Sequence, residues 1–227
     1  MIVAIDGPAG AGKSSAARAL AMRLGFRFLD TGAMYRAVAW AGAEHGVDWS
    51  KGDELAELAR RIRLDAREDA ILVDNRDVTR DIRTPQVTAN THFAANNASV
   101  RRHLVELQRA IAGGNNVVAE GRDQGTVVFP HAECKIFLTA SAVERARRRV
   151  EELRSRGEEA TLEQVLADQN CRDERDATRD VGPLVKAADA IELVTDGLTH
   201  DQVVDQLEAL VRGRMAVGTS SAARRQI

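Results

Sequence analysis

The sequence contains few of the residues that mark secreted, membrane-spanning or metal-binding proteins. Its 227 residues include two cysteines, Cys134 and Cys171, too few for a disulfide framework and without the spacing of a metal site. No apolar run approaches the length of a transmembrane helix. The net charge of −2 argues against nucleic-acid or membrane-surface partners. We therefore expect a cytoplasmic protein with reduced thiols.

Lysine is also scarce, since Lys13, Lys51, Lys135 and Lys186 are the only four. The remaining basic residues are arginines. This bias reflects either codon usage or sites in which the planar guanidinium group of arginine is needed to bind phosphate. The chain is 44% hydrophobic and 29% charged, an ordinary globular balance. Its length suits one α/β domain with a small insertion.

The most informative motif lies at the start of the chain. Ile2–Ile5 is apolar, as in a strand buried on both faces, and Gly7 to Ser14 matches the P-loop pattern G-x-x-x-x-G-K-[ST]. Such a loop directs its N–H groups at phosphate oxygens, with a lysine near the transferring phosphoryl group and a hydroxyl on Mg²⁺. The alternative is a glycine-rich turn without a ligand. Because the chain begins with this strand, we expect no signal peptide. The predicted ATP-phosphate site comprises Gly7, Pro8, Ala9, Gly10, Ala11, Gly12, Lys13, Ser14 and Ser15, with Ser14 as the metal ligand.

Apolar strands and amphipathic helices alternate along most of the chain, which predicts a parallel sheet covered by helices on both faces. Residues 62–82 differ, because short apolar pieces separated by charged turns predict a small antiparallel sheet. The last helix is predicted to end near Arg212, and residues 213–227 are predicted to be disordered.

Polar clusters follow several of the predicted strands. Ligands bind at the carboxyl ends of parallel strands, so we expect 7–15, 30–36 and 120–123 to contribute to one site. Asp6 and Asp30 either order Mg²⁺ through water or make capping and loop hydrogen bonds. The run from Arg172 to Asp180 alternates arginine with aspartate, which is typical either of a solvated helix face or of a mobile segment that closes over phosphate.

Five segments together resemble the bacterial cytidylate kinase family, over roughly residues 1–212. They are G-P-A-G-A-G-K-S-S, L-D-T-G-A-M-Y-R, D-I-R-T, E-G-R-D-Q-G-T-V-V-F-P and R-D-E-R-D-A-T-R-D-V-G-P-L. The resemblance implies the P-loop nucleoside monophosphate kinase fold, with a five-stranded parallel sheet, a small β insertion and an arginine-rich helical lid. It implies a core domain at 1–61, 85–147 and 180–212, a CMP-binding insertion at 62–84 and a lid at 148–179. The lid sequence has little apolar surface, so we expect it to be mobile.

The resemblance also implies an activity: direct in-line transfer of a phosphoryl group from ATP, with Mg²⁺, to CMP or dCMP. It implies a monomer whose partners are these small molecules, without nucleic acid or membrane. Related P-loop kinases that phosphorylate UMP, AMP or shikimate remain an alternative, as does a non-catalytic nucleotide-binding switch. A GTPase is disfavoured, because none of the four lysines lies in an N-K-x-D motif.

The family motifs assign roles to individual positions of this sequence. The catalytic residues implied are Lys13, Arg122, Arg172, Arg175 and Arg179. The implied CMP-binding residues are Thr31, Tyr35, Arg36, His92, Arg101, Arg122, Asp123, Asp176 and Arg179. Of these, Arg101 and Asp123 match positions that read the cytosine edge. His92 aligns with a family serine, and a shift of one residue would place the Thr91 hydroxyl there instead.

Overall fold

The computed structural model describes residues 1–155 and 157–224, with backbone alone for 217–224. Its contacts divide the chain into two compact units. The first unit combines Met1–Arg27 with the chain from Asn116 onward, and the second is Phe28–Asn115.

The principal sheet has five strands, and its order differs from the order along the chain. The eight strands described are β1 (Ile2–Asp6), β2 (Arg27–Asp30), β3 (Leu64–Ala66), β4 (Ile71–Val73), β5 (Arg76–Asp77), β6 (Val117–Gly121), β7 (Cys134–Thr139) and β8 (Ile191–Val194). The large sheet has the order β2-β6-β1-β7-β8, and β1 pairs in parallel with both β6 and β7. β1 is therefore an internal strand, so Val3 to Ile5 are buried, as the continuous apolar run predicted. The predicted five-stranded parallel sheet is confirmed.

The helices described are α1 (Lys13–Leu24), α2 (Thr31–Glu44), α3 (Gly52–Arg61), α4 (Pro85–Asn96), α5 (Ala98–Ala112), α6 (Ala142–Ser155), α7 (Leu162–Thr178) and α8 (His200–Arg224). Polar caps set several of their starts. The side chains of Asp30, Thr84 and Asn97 accept hydrogen bonds from the first turns of α2, α4 and α5. Thr161 and Gln164 form a capping box on α7. Asn97 is also the C-cap of α4, so it marks the break between α4 and α5.

The small β insertion is a three-stranded antiparallel sheet in the order β3-β4-β5. Its hairpin turns at Asp74 and Asn75, which have φ angles of 48° and 67°. These residue types tolerate the left-handed conformation that tight hairpins require. The antiparallel sheet predicted for this segment is confirmed.

The two helices predicted to form the lid contain more apolar packing than their charge suggests. Ala146 and Val150 of α6 form a small buried cluster with Val165 of α7. Leu153, Ala160 and Leu166 pack against this cluster. One apolar stripe on each helix therefore joins the two helices to each other. The mobility of the segment as a whole stays a prediction.

The last helix also differs from its prediction. α8 continues to Arg224 rather than ending near Arg212, although Val211 is the last buried side chain among those described in this helix, up to residue 216. Where the sequence predicted disorder from residue 213, the backbone is helical through Arg224. No proline interrupts the segment, and an established helix gains a hydrogen bond with each added residue. Residues 225–227 lie outside the described part of the chain. None of the helices within the described ranges has the length and the apolar composition that a membrane span requires.

Candidate active site

The loop between β1 and α1 has a backbone that requires glycine. Gly7, Gly10 and Gly12 have φ angles of 149°, 78° and 83°, and Gly12 is the N-cap of α1. A Cβ atom on Gly7 would lie 1.9 Å from the carbonyl oxygen of Leu138, on the adjacent strand β7. The loop therefore packs directly on the sheet, with its N–H groups at the start of a helix, as in a phosphate-binding loop.

Lys13 is buried at the first position of α1. Its Nζ donates a hydrogen bond of 2.6 Å to the carbonyl oxygen of Pro8, within the same loop. Burial lowers the pKa of Lys13 to about 7, and the positive charge of Arg122 adds to this effect while Glu120 opposes it. An anionic phosphate in the loop would act in the opposite direction and favour the charged ammonium.

Ser14 contacts Glu120, a carboxylate that the sequence placed in the predicted site without an individual role. Its Oγ donates to Glu120 Oε1 at 2.7 Å, and Glu120 lies in β6 directly before the Gly121-Arg122-Asp123 segment. A hydroxyl and a carboxylate are oxygen ligands of the type that Mg²⁺ prefers, so this donor set fits the metal. The sequence feature that could have pointed to Glu120 is an acidic residue at the end of a buried strand.

Asp6 and Asp30 both make the loop and capping hydrogen bonds that were one of their two predicted alternatives. Asp6 accepts hydrogen bonds from the backbone N–H groups of Gln124 and Gly125, at 2.8 and 2.7 Å. Burial raises the pKa of Asp6 to about 6, although these two hydrogen bonds lower it. Asp30 accepts from the Ala33 N–H at 2.8 Å and caps α2.

Arg122 forms a half-buried ion pair with the second predicted lid helix. Its Nε donates to Asp176 Oδ2 at 2.8 Å, and each side chain is 19% exposed. Burial opposes the charge on Arg122, but the carboxylates of Asp176 and Glu120 outweigh it and raise the Arg122 pKa above its ordinary value. Burial likewise opposes ionisation of Asp176, yet Arg122 holds its pKa below the usual range. Both groups therefore remain charged in a site that largely excludes water.

A second long-range pair follows α7. Arg179 Nη2 lies 3.9 Å from Asp123 Oδ1, and both side chains are nearly fully buried. Asp176 and Arg179 are therefore not part of a solvated helix face, which was one alternative for this arginine-rich run. Arg172 adds positive charge close enough to influence the pKa of both Lys13 and Asp176.

Arg175 is not brought into this group. Its side chain is exposed, and its Nε lies 3.3 Å from the carbonyl oxygen of Cys171, one turn earlier in α7. For Arg175 the solvated-face alternative describes the structure.

The five remaining predicted substrate residues all lie in the second unit, and His92 is described separately below. Thr31 and Tyr35 are buried in α2, and Arg101 is buried in α5 with its guanidinium 5.4 Å from the centre of the Tyr35 ring. Arg36 donates from Nη1 to Thr88 Oγ1 of α4 at 2.8 Å. Arg101 Nη1, from α5, lies 3.4 Å from the carbonyl oxygen of Ala95 in the last turn of α4.

His92 and Thr91 are both within one helical turn of Thr88, but their side chains have different partners. His92 Nδ1 lies 2.6 Å from the carbonyl oxygen of Ala89, and its ring packs 4.0 Å from Phe93, which stacks on Trp49. Thr91 Oγ1 donates to the carbonyl oxygen of Val87 at 2.7 Å. His92 also lines a cavity of about 380 Å³ within the second unit, together with Trp49, Ser50, Gly52, Leu55, Phe93, Asn96 and Asn97.

A five-stranded parallel sheet with a strand–glycine-rich loop–helix unit at its centre defines a P-loop nucleotide-binding protein of the phosphotransferase type. The family model for cytidylate kinase matches residues 3–213. The chain therefore belongs to the cytidylate kinase family, a family of kinases.

Two relatives illustrate how far the similarity extends. A cytidylate kinase of Rhodopirellula baltica is 51% identical over 212 residues, which is 93% of each chain. A cytidylate kinase of Desulfitobacterium hafniense is 46% identical over 219 residues, covering 95% of this chain and 94% of the relative.

Among solved structures, an uncharacterised protein from Eubacterium ventriosum superposes with a TM-score of 0.50 at 12% identity, over 91% of this chain and 95% of that one. That similarity concerns the fold alone.

Proposed function

We propose that this protein transfers the γ-phosphoryl group of ATP directly to the phosphate of CMP or dCMP. The observation that carries the proposal is the group of cations beside the P-loop, with Lys13 buried among them, in a chain of the cytidylate kinase family. Arg122 and Arg172 lie close enough to Lys13 for their positive charges to lower its pKa. Phosphoryl transfer needs little covalent chemistry from the protein and depends mainly on positioning and positive charge around the moving group.

The donor phosphates would lie in the loop from Gly7 to Ser15. Ser14, with Glu120 beside it, would hold the Mg²⁺ that accompanies ATP, and this ion offsets phosphate charge when bound. Lys13 would exchange its hydrogen bond to Pro8 for a phosphate oxygen. The loop then supplies backbone N–H groups without any rearrangement of the strand that carries it.

The acceptor phosphate would be held by arginines, whose forks match phosphate oxygens bidentately. Arg122 and Arg179 take this role, and Asp176 with Arg172 would contact the ribose. No general base is required, since the attacking oxygen of CMP is already anionic. Arg175, which is exposed, would join only through movement of its helix.

Base recognition would depend on the difference between cytosine and uracil at two positions. Asp123 would accept a hydrogen bond from the cytosine 4-amino group, where uracil presents a carbonyl oxygen. Arg101 would donate to cytosine N3, where uracil carries a hydrogen. A mispaired buried polar group costs about 1–3 kcal/mol, so each mismatch favours cytosine roughly tenfold to a hundredfold.

We further propose that the enzyme is a cytoplasmic monomer in pyrimidine nucleotide metabolism that acts on small molecules alone. The modest net charge and the two free cysteines are compatible with this setting.

The acceptor assignment is tested with a panel of monophosphates. With MgATP, release of ADP should be fastest with CMP and dCMP, while UMP should be poorer by roughly tenfold to a hundredfold in kcat/KM. AMP and shikimate should be inactive. The Asp123→Asn variant should lose most of the preference for CMP over UMP, because an amide can donate to the uracil carbonyl. Equal use of UMP by the wild type, or an undiminished preference in the variant, would contradict the assignment.

A second experiment decides between Thr91 and His92 as the further contact to the base. The His92 ring is already packed on Phe93, so we expect the hydroxyl of Thr91 to make this contact. Thr91→Val should lower kcat/KM for CMP about fivefold to tenfold, the value of one hydrogen bond. His92→Ser, the matched substitution one position later, should change kcat/KM for CMP by less than about twofold. The opposite ranking would assign the contact to His92.

A further inference from the structure

Arg145 lies in the first turn of α6 and is buried, and its guanidinium contacts three parts of the first unit. Its Nε donates to the carbonyl oxygen of Ala140 at 3.1 Å. Its Nη1 donates to the carbonyl oxygen of Ala9, in the P-loop, at 2.9 Å. The same Nη1 lies 2.6 Å from Asp173 Oδ2, in α7. A single planar cation thus joins the P-loop to α7.

A second hydrogen bond joins α7 to α6 beside the P-loop. Gln169 is buried in α7, and its Nε2 donates to the backbone carbonyl oxygen of Arg145 at 3.2 Å. A Cβ atom on Gly10 would lie 3.0 Å from this Nε2 and 3.3 Å from Arg145 Cβ. The P-loop at Gly10 is therefore covered directly by Gln169 and Arg145.

These contacts lie on the helix face that also reaches Arg122. Val165, Gln169 and Asp173 are spaced by four residues, which places them on one stripe of α7. Asp176 follows three residues later on the same stripe and pairs with Arg122. The position of α7 relative to the P-loop therefore determines where Asp176, and Arg179 beyond it, meet the end of β6.

We propose that Arg145 is a positioning residue that couples the ATP-binding loop to α7 through Asp173. This inference rests on the proposed function, since it concerns the helix that would bring Asp176 and Arg179 to the acceptor. When ATP orders the P-loop, the Ala9 carbonyl oxygen holds the Arg145 guanidinium, which in turn holds Asp173. Lysine cannot replace this arginine, because a single ammonium lacks the planar fork that spans three separate acceptors.

Two other roles for Arg145 make different predictions. If Arg145 only stabilised the fold, its loss would lower the melting temperature without changing the response of α7 to nucleotide. If Arg145 instead contacted ATP itself, removing the charge of Asp173 would leave ATP binding and the response of α7 unchanged.

The experiment measures amide hydrogen exchange across α7 with and without a non-hydrolysable MgATP analogue, and steady-state kinetics with MgATP and CMP. In the wild type, the analogue should slow exchange in both the P-loop and α7. In Arg145→Lys and Asp173→Asn, the P-loop should still respond, while the slowing across α7 is lost. Each variant should lower kcat about tenfold, and the double variant should be no slower than either one, because both remove the same interaction.

Arg23 and Asp205 provide the matched control. They form an ion pair of 2.5 Å that links α1 to α8 in the same unit, and neither contacts the P-loop residues discussed. Arg23→Lys and Asp205→Asn should leave the α7 response and kcat unchanged. Protection of α7 that persists in Asp173→Asn, or effects on kcat that multiply in the double variant, would overturn the inference. A wild type that binds the analogue but releases no ADP with CMP would instead contradict the proposed function.

Discussion

Lys13→Met should leave the protein folded and lower kcat for phosphoryl transfer about a hundredfold to a thousandfold, as expected when one preorganised charge is removed from a reacting group. The Lys13 ammonium is buried, and in this structure it is held by the Pro8 carbonyl oxygen 2.6 Å away. Methionine preserves the length and apolar stem of the side chain, so the core beside α1 keeps its packing. The measurement is kcat with saturating MgATP and CMP, together with the circular dichroism spectrum.

Lys135 offers a closely matched control. Its Nζ also donates to a proline carbonyl five residues earlier, Pro130, at 2.6 Å, and it pairs with Asp189 at 2.9 Å. Lys135→Met therefore removes a buried ammonium of the same kind in the same unit, away from the P-loop. The Lys135→Met variant should be less stable than the wild type, but its kcat should stay within about threefold of the wild-type value. Near-native turnover in Lys13→Met, or an equal loss of kcat in Lys135→Met, would refute the role given to Lys13.

Gly7→Ala should lower the free energy of unfolding by more than about 3 kcal/mol, among the largest effects expected of a single substitution. The added methyl group would lie 1.9 Å from the backbone oxygen of Leu138, and a main-chain atom cannot move aside as a side chain can. The φ angle of 149° adds strain for any other residue. Urea denaturation monitored by tryptophan fluorescence measures the change.

Gly25→Ala separates the two contributions. Gly25 ends α1 with a φ angle of 65°, and a Cβ atom there would have no neighbour within 4 Å. This variant meets only the backbone strain of a left-handed residue, about 1–2 kcal/mol. A similar loss of stability in both variants would show that the contact of Gly7 with Leu138 is unimportant.

Local chemistry allowed much of this architecture to be predicted. The turn residues Asp74 and Asn75 and the caps Thr84, Asn97 and Thr161 act within a few positions of themselves. Their effects on the backbone can therefore be predicted without knowing what packs nearby. The same holds for the P-loop, whose glycines, lysine and serine all lie in the short segment from Gly7 to Ser14. Family membership followed from five such segments taken together.

The partners of the charged residues were decided by the tertiary structure. Arg122 and Asp176 are 54 positions apart, and Ser14 and Glu120 are 106 apart, so neither pair follows from local spacing. The arginine-rich run from Arg172 to Asp180 likewise contains the exposed side chain of Arg175 and the buried side chain of Arg179, which composition cannot distinguish. The sequence by itself determined where strands, helices and the phosphate-binding loop form, because these depend on backbone preferences and apolar periodicity over a few residues. Only the tertiary structure decided which cation meets which anion, because such pairs form between elements brought together by burial of their apolar faces.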